Sequence, residues 1–442
     1  MQKPSPQPGN AIVDRPPGEL KPWPGNPRTH SDNQLAKLKA SIQKFGFTAP
    51  VLIEEKDVIL SGHGRVQAAT ALGLETIPTR VIAGLSDAQK RAYVIADNKI
   101  AQLSRWDDNL LKSEMEILIN EDFAIETTGF STAEIDLMFD GAADPAGSDP
   151  DDLQPADIAA EAVSREGDLW QLADHRLFCG NALDSGSYRA AMPEGLAQMV
   201  ITDPPYNVRI DGHVCGSGMV KHKEFAMASG EMSPDQFTAF LRSALSHLHT
   251  FSHEGAIHFV FIDWRHTPEI QDAARPLFGP PRQLCVWVKD NAGMGSFYRS
   301  QHELVYAFKK GTAPHINNFE LGQHGRYRTN VWNYPGINTF GNGREMLALH
   351  PTVKPVGLIA DAIRDCSHRK GIVLDPFAGS GTILVAAERT GRHARAIELD
   401  PLYVDVAVLR WQRVTGKLAV LMANGKTWDQ VRAERLSAND QG

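Results

Sequence analysis

Asp375-Pro-Phe-Ala-Gly-Ser-Gly-Thr382 is the segment that most clearly indicates the fold class of this chain. It follows the apolar run 371–374, which predicts a buried strand, and it opens a predicted helix at 382–390. Glycines at a strand-to-helix turn let the backbone approach a ligand closely, and the first N–H groups of the helix attract polar groups. The next predicted strand, 394–397, ends at Glu398, a carboxylate placed to accept hydrogen bonds from a ribose diol. The stretch therefore predicts a nucleoside site in an α/β fold.

Strands and helices alternate on both sides of this turn, which is typical of a parallel sheet with crossover helices. Apolar runs predict strands at 176–179, 199–202, 256–262, 283–288, 303–308, 371–374 and 394–397. Amphipathic runs predict helices at 233–250, 267–278, 355–367, 382–390 and 401–415. We expect a break in the second of these helices near Pro276, because proline cannot donate a helix hydrogen bond.

A second motif, Asp203-Pro-Pro-Tyr206, stands at the end of predicted strand 199–202. The two prolines fix the backbone and remove two N–H donors, so the loop offers mainly acceptors. These acceptors are the Asp203 carboxylate and the Pro204 carbonyl, and Tyr206 adds a flat ring. The set suits a planar group that carries an amino donor, such as a nucleobase.

A third motif, His350-Pro-Thr-Val-Lys-Pro355, precedes predicted helix 355–367. In this order the three motifs resemble those of DNA amino-methyltransferases that use S-adenosylmethionine. The catalytic motif precedes the cofactor motif, which resembles the permuted beta class. The resemblance covers about 165–420 and implies a seven-stranded Rossmann-like sheet whose last strand is antiparallel.

The resemblance also implies roles for individual residues. Catalytic roles fall to the second motif, namely to Asp203, Pro204, Pro205 and Tyr206. Contacts to S-adenosylmethionine are expected from Asp375, Phe377, Gly379, Gly381, Thr382, Glu398, Asp400, Asn181, Ala182, Thr352 and Lys354. No metal is expected, because the sulfonium methyl is already activated.

The first residue of the second motif indicates the target amine. In this family an aspartate at position 203 usually accompanies adenine N6, and cytosine-N4 enzymes more often have serine there. We therefore expect site-specific methylation of adenine N6 in a base flipped out of the duplex. Two alternatives stay open: a cytosine-N4 enzyme, and a DNA-binding adaptor whose methylase half is degenerate.

The distribution of charge indicates double-stranded DNA as the partner, although the net charge of the chain is −8. Residues 141–166 carry seven acids and one arginine, whereas 282–350 carry eight Lys/Arg and four acids. We expect a target-recognition insert at about 311–350, helped by 207–232. Arginine reads guanine and asparagine reads adenine, and the candidates for DNA contact are Arg209, Lys221, Arg326, Arg328 and Asn330.

The N-terminal part is predicted to be mixed α/β and has its own signature, Leu60-Ser-Gly-His-Gly-Arg65, between a strand and a helix. It resembles the ParB N-terminal/sulfiredoxin-like fold over roughly 12–100. A glycine-rich turn with arginine at a helix start suits a phosphate, so Gly62, His63, Gly64 and Arg65 are candidate phosphate ligands. Sulfiredoxins need a cysteine here, and 53–73 contain none, which argues against peroxiredoxin repair. We favour a structural or DNA-positioning role for this turn over nucleotide binding.

Composition divides the chain and limits its class. We expect a ParB-like domain with a helical extension at 12–140, an acidic Pro/Ala/Asp linker at 141–165, a methyltransferase domain at 166–425 and a C-terminal tail at 426–442. The four cysteines lie at least 36 residues apart, which argues against a zinc knuckle or a disulfide framework. With no apolar run long enough for a membrane span, we expect a cytoplasmic protein. A homodimer and a restriction partner stay open.

Overall fold

The computed structural model describes residues 11–140, 161–207, 230–290, 292, 297–319, 327–336 and 353–439. The chain divides into two compact units, Met1–Gly141 and Ala142–Gly442.

The first unit contains a four-stranded sheet and helices. Its strands are β1 (Ile12–Arg15), β2 (Val51–Ile53), β3 (Ile59–Ser61) and β4 (Ile77–Val81), in the order β1-β4-β2-β3. Strand β2 runs parallel to β4, and the other pairs are antiparallel. The helices are α1 (Asp32–Phe45), α2 (His63–Ala71), α3 (Asp87–Ala101), α4 (Asp108–Asn120) and α5 (Thr132–Asp140). Apolar side chains of β2, β3, α2 and β4 form the core of the unit.

Strands β1 and β4 are absent from the sequence-based prediction. Strand β1 has mostly exposed side chains, so it lacks the apolar alternation of a half-buried strand. Strand β4 contains Pro78, and proline normally argues against a strand away from a sheet edge. In the structure, Thr79 of β4 donates its hydroxyl to the Val13 carbonyl at 2.6 Å, which joins the two strands.

The second unit is built on a large mixed sheet. Its strands are β5 (Leu169–Leu172), β6 (His175–Cys179), β7 (Ala197–Thr202), β8 (Ser252–Ile262), β9 (Gln283–Val288), β10 (His302–Lys309), β11 (Val331–Asn333), β12 (Ile372–Asp375), β13 (His393–Glu398), β14 (Val420–Leu421) and β15 (Lys426–Thr427). Their order is β11-β9-β10-β8-β7-β12-β13-β6-β5-β14-β15. The predicted strands occupy the middle of this order, and β10 is antiparallel to both neighbours. Strands β11, β5, β14 and β15 extend the sheet at its edges.

Helices cover both faces of this sheet, as the α/β prediction requires. One layer contains α6 (Ser185–Ala191), α7 (Pro234–Thr250) and α8 (Thr267–Phe278), and its core includes Phe237 and Ile270. The other layer contains α9 (Val356–Cys366), α10 (Thr382–Thr390), α11 (Pro401–Thr415) and α12 (Trp428–Asn439). Burial of apolar side chains between the sheet and two helix layers gives the unit two continuous hydrophobic cores.

The order in which the chain adds strands to the sheet reverses between the central strands β7 and β12. Strands β7 and β12 are parallel neighbours, yet the chain continues from β7 to β8 on one side and from β12 to β13 on the other. Ligands of open α/β sheets bind at the carboxyl ends of strands where the order reverses in this way. The Thr202 hydroxyl at the end of β7 donates to Asp375 Oδ1 at the end of β12, at 2.8 Å. The topology therefore brings the second motif and the stretch 375–382 to one place.

The predicted break of α8 at Pro276 is wrong. The helix runs without interruption to Phe278, although Pro276 cannot donate to the carbonyl of Asp272. The guanidinium of Arg242 in α7 donates to that carbonyl at 3.0 Å and satisfies it instead. A partner from a neighbouring helix thus replaces the missing hydrogen bond.

The prediction of a tail from 426 is also wrong as far as residue 439. These residues form β15 and α12, and the Trp428 side chain is fully buried. Its indole N–H donates to Asp405 Oδ1 at 2.9 Å, and Arg435 Nη2 donates to Asp168 Oδ1 at 3.0 Å. Because α12 is rich in charged residues, its sequence did not indicate that Trp428 and Arg435 fix it to the rest of the unit.

Candidate active site

The two motifs at the centre of the sheet line a single pocket. Asp203–Tyr206, residues of the turn 375–382, Glu398 and Asp400 all line it. The pocket also has an apolar lining, contributed by Ile201, Phe261, Val353, Ile359 and Ile383. A ligand held by the turn therefore shares a cleft with a group held by Asp203.

The turn after β12 depends on glycine at two positions. Gly379 and Gly381 have φ values of 51° and 77°, a region that side chains with a Cβ disfavour. A Cβ at Gly381 would lie 2.6 Å from the Cβ of Ala407, so this glycine permits close packing of α10 on α11. Gly379 lines the pocket and Gly381 does not. The structure therefore does not support the expected contact of Gly381 with the cofactor, because Gly381 packs against Ala407 of α11.

Glu398 is tied to the turn through its carboxylate. Its Oε2 accepts from the Gly379 N–H at 2.7 Å, and its Oε1 accepts from the Asp400 N–H at 2.9 Å. Burial raises the pKa of Glu398 to about 7 against the lowering effect of these amides. Each oxygen keeps a second lone pair, so the carboxylate can still accept from a ligand hydroxyl.

Asp375 is a second buried carboxylate in the pocket. Its Oδ1 accepts from the Thr202 hydroxyl at 2.8 Å and from the Phe377 N–H at 3.1 Å. Burial raises the pKa of Asp375 to about 7, although both hydrogen bonds lower it. At neutral pH, Asp375 and Glu398 therefore lie close to their titration points.

Asp203 is paired with Lys354, which the sequence analysis had placed among the cofactor contacts. Lys354 Nζ lies 2.5 Å from Asp203 Oδ2, and the Tyr206 hydroxyl donates to Asp203 Oδ1. Burial raises the pKa of Asp203 above its usual value, against the opposing charge of Lys354. Lys354 lines the pocket. Its ammonium contacts the catalytic motif at Asp203, although the residue was predicted to contact the cofactor.

Glu303 and Lys289 complete this charge network, and sequence reasoning missed both. Glu303, in β10, lies 3.1 Å from Lys354 Nζ through its Oε2 and 2.6 Å from Lys289 Nζ through its Oε1. Burial alone would raise the pKa of Glu303, but the two lysines lower it to about 2. The sequence did contain one indication of Glu303: it is an acidic residue next to the apolar run 304–308, and such a residue is unusual in a buried strand.

The remaining cofactor candidates divide into three groups. Ala182 and Thr382 line the pocket, and Arg410 Nη1 donates to the Thr382 hydroxyl at 2.9 Å. Asp400 also lines it and caps α11 by accepting from the Leu402 N–H at 2.9 Å. Asn181 does not line the pocket, and its Oδ1 accepts from the Leu183 N–H at 2.8 Å. Thr352 lies outside the described residues.

The DNA-contact candidates are only partly described. Arg209, Lys221 and Arg326 lie outside the described residues. Asn330 is exposed and donates to the Leu284 carbonyl at 3.1 Å, so its DNA contact stays a prediction.

Arg328 is the candidate whose placement contradicts the prediction. Its guanidinium is largely buried, lies 2.9 Å from Asp365 Oδ2 and 3.4 Å from Asp361 Oδ2, and covers the Trp332 ring. Removing it from this cluster would break buried ion pairs with Asp365 and Asp361, so a base contact is unfavourable. Arg328 thus anchors the segment around β11 to α9.

In the first unit, Gly62–Arg65 lines a separate pocket with residues that include Arg28, His30 and Asp97. Gly62 has a φ of 103° and precedes α2. His63 Nε2 accepts from the Trp23 N–H at 3.1 Å, and burial lowers the pKa of His63. This ring nitrogen is therefore engaged by the protein backbone, and phosphate binding at this turn stays a prediction.

Two kinds of feature are absent from the described part of the chain. It contains no group of three or more His, Cys, Asp or Glu side chains arranged to hold a metal ion. None of its helices combines the length and the apolar character that a membrane crossing requires.

Comparison with family models assigns three segments of the chain. Residues 197–409 match the DNA methylase model for N6 and N4 enzymes, and residues 1–99 match the ParB N-terminal domain. Residues 109–166 match the ParB-methyltransferase HTH domain. This last match includes the segment 141–165 that we interpreted as a linker.

Individual proteins resemble each part. The ParB-like nuclease domain-containing protein YnaK of Escherichia coli (strain K12) is 52% identical over 80 residues, covering 18% of this chain and 92% of YnaK. The type II methyltransferase M.ScaI of Streptomyces caespitosus is 23% identical over 279 residues, covering 54% of this chain and 82% of M.ScaI. The crystal structure of the M1.HpyAVI-SAM complex covers 53% of this chain and 97% of its own, with 18% identity and a TM-score of 0.37.

Proposed function

We propose that this chain, which joins a ParB N-terminal domain to a DNA methylase domain of the N6/N4 family, methylates the N6 amine of adenine in DNA. The proposal is carried by one observation, the shared pocket of Asp203–Tyr206 and the turn 375–382. A methyl donor on the turn and an amine on Asp203 would meet in this cleft.

The lining of the pocket suits S-adenosylmethionine by its chemistry. Besides the paired Asp203 and Lys354, three more acidic side chains line the pocket, Asp375, Glu398 and Asp400, and this excess of acidic groups favours a positively charged ligand. Glu398 would hold the ribose diol, and the apolar lining would take the uncharged parts of the ligand. The bound cofactor supplies a methyl group already activated by its sulfonium.

The second motif would position and polarise the amine. The conjugated exocyclic nitrogen is a weak nucleophile, and acceptors at Asp203 and Pro204 polarise its N–H bonds as the new N–C bond forms. Asp203 also stabilises the positive charge that develops on this nitrogen before its proton is lost. Tyr206 would stack on the extruded base, which contributes about 1–3 kcal/mol towards the cost of flipping. Catalysis then consists mainly of alignment and electrostatic complementarity.

We predict that affinity for S-adenosylmethionine falls in acid. Protonation of Asp375 or Glu398, whose pKa values are raised to about 7, removes a negative charge and an acceptor from the pocket. A cationic ligand favours the deprotonated form, so the Kd should rise at least about tenfold from pH 8 to pH 6. Isothermal titration calorimetry across this range checks the prediction, and a Kd that is constant over it would contradict this role of the two acids.

The choice of adenine N6 over cytosine N4 is tested by product analysis. Duplex DNA of mixed sequence is incubated with the protein and methyl-deuterated S-adenosylmethionine, digested to nucleosides and examined by mass spectrometry. We expect deuterated N6-methyldeoxyadenosine. Label on deoxycytidine would support the N4 alternative, and unlabelled DNA with an intact cofactor site would support a DNA-binding adaptor.

A further inference from the structure

The buried ammonium of Lys354 lies between two carboxylates. It is 2.5 Å from Asp203 Oδ2 and 3.1 Å from Glu303 Oε2, and its side chain is only 6% exposed. The rings of Tyr206, Phe261 and Trp287 surround it, with centroids 5.2–5.8 Å from Nζ. Water is therefore largely excluded, and the two carboxylates compete directly for one cation.

The Tyr206 hydroxyl stands between the same two acids. It donates to Asp203 and lies 3.2 Å from Glu303 Oε2. Both oxygens of Asp203 thus have protein partners, one from Lys354 and one from Tyr206. Each oxygen keeps a lone pair for a base amine, but Asp203 polarises that amine with its full charge only when one of these two donors moves away.

We propose that Glu303 is a positioning residue that receives the Lys354 ammonium and the Tyr206 hydroxyl when Asp203 turns to the target amine. This inference rests on the proposed function. Glu303 does not line the pocket, so it acts on the base only through these two neighbours. Without this second acceptor, displacing Lys354 from Asp203 would leave a buried ammonium with no anionic partner, which is strongly unfavourable.

Lys289 keeps Glu303 in place for this task. Its Nζ lies 2.6 Å from Glu303 Oε1, so the other oxygen, Oε2, points to Lys354 and Tyr206. The cluster contains two acids, Asp203 and Glu303, and two cations, Lys354 and Lys289, so its net charge is zero. This net charge stays the same when Lys354 moves from one acid to the other.

The test is the variant Glu303→Gln, compared with Glu254→Gln as a matched change at an exposed acid on β8. We expect kcat for DNA methylation to fall about 10- to 100-fold in Glu303→Gln, with little change in the KM for S-adenosylmethionine. Glu254→Gln should retain the wild-type kcat. Lys289→Met, which frees Glu303 from its support, should lower kcat in the same direction by a smaller factor.

The pH profile separates positioning from a merely structural role. Lys354, Tyr206 and Glu303 face Asp203, and Asp375 lies near enough for its charge to interact with that of Asp203. The negative charge of Glu303 raises the pKa of Asp203, so its removal should move the acid limb of kcat/KM for DNA, measured at saturating S-adenosylmethionine, to lower pH.

The outcomes distinguish this inference from the proposed function. A folded Glu303→Gln variant with wild-type kcat and an unmoved acid limb overturns the inference alone. A wild-type protein that transfers no methyl group to any DNA overturns both. If Glu303→Gln fails to fold, Lys289→Met decides, and wild-type kcat in that variant overturns the inference.

Discussion

Replacement of Asp203 by asparagine should lower kcat for DNA methylation by about 100- to 1,000-fold, the usual loss when one preorganised stabilising group is removed. Asparagine keeps the volume of the side chain but loses the charge that would stabilise the developing cation on the amine nitrogen. It also places an amide beside Lys354 and Tyr206, which now hold the carboxylate. Single-turnover methyl transfer to a duplex, with protein in excess, measures this effect on the chemical step.

The control for this variant is cofactor binding. Asp203 belongs to the second motif and has no hydrogen bond to the turn that Glu398 holds, and its charge is already compensated by Lys354. The Kd for S-adenosylmethionine should therefore change only a few-fold, and the melting temperature should confirm folding. A single-turnover rate within a few-fold of wild type would remove Asp203 from the mechanism.

Replacement of Glu398 by alanine should weaken S-adenosylmethionine about 10- to 150-fold, equivalent to about 1.4–3 kcal/mol. The variant would lose the proposed charge-assisted hydrogen bond to the ribose diol. It also leaves the N–H groups of Gly379 and Asp400 without their acceptor, so the turn that shapes the pocket is less well held. Calorimetric titration with S-adenosylmethionine measures the Kd.

An exposed acid provides the comparison for Glu398. Glu434 on α12 pairs with Lys426 at the surface, away from the pocket, and Glu434→Ala should bind the cofactor as the wild type does. If Glu398→Ala were folded and bound with unchanged affinity, Glu398 would have only a structural role in the turn.

The central strands, the helices α7 to α11 and the two main motifs were predictable because their signals are local. The strand-to-helix turn at 375–382 carries its own glycines, and its acid partner Glu398 follows within one helix and one strand. The family matches confirm the resemblance that these motifs indicated. Local periodicity also placed α7, α10 and α11 close to their observed limits.

The charge network around Asp203 was not predictable from such signals. Lys354 lies 151 residues from Asp203 in sequence, and Glu303 reaches both only through the antiparallel pairing of β10 with β8. The third motif was expected to bring Lys354 to the cofactor, and the structure pairs it with the Asp203 carboxylate. Contacts of this range depend on strand order and register, which single-sequence patterns do not specify.

A crystal structure with S-adenosylhomocysteine and a target duplex is the decisive experiment. We expect the cofactor product along the turn 375–382 and a flipped adenine whose N6 lies within hydrogen-bond reach of Asp203, in the same cleft. We also expect Lys354 to have shifted towards Glu303. A cofactor product bound outside this cleft, or a base held away from Asp203, would refute the shared site for methyl donor and target amine.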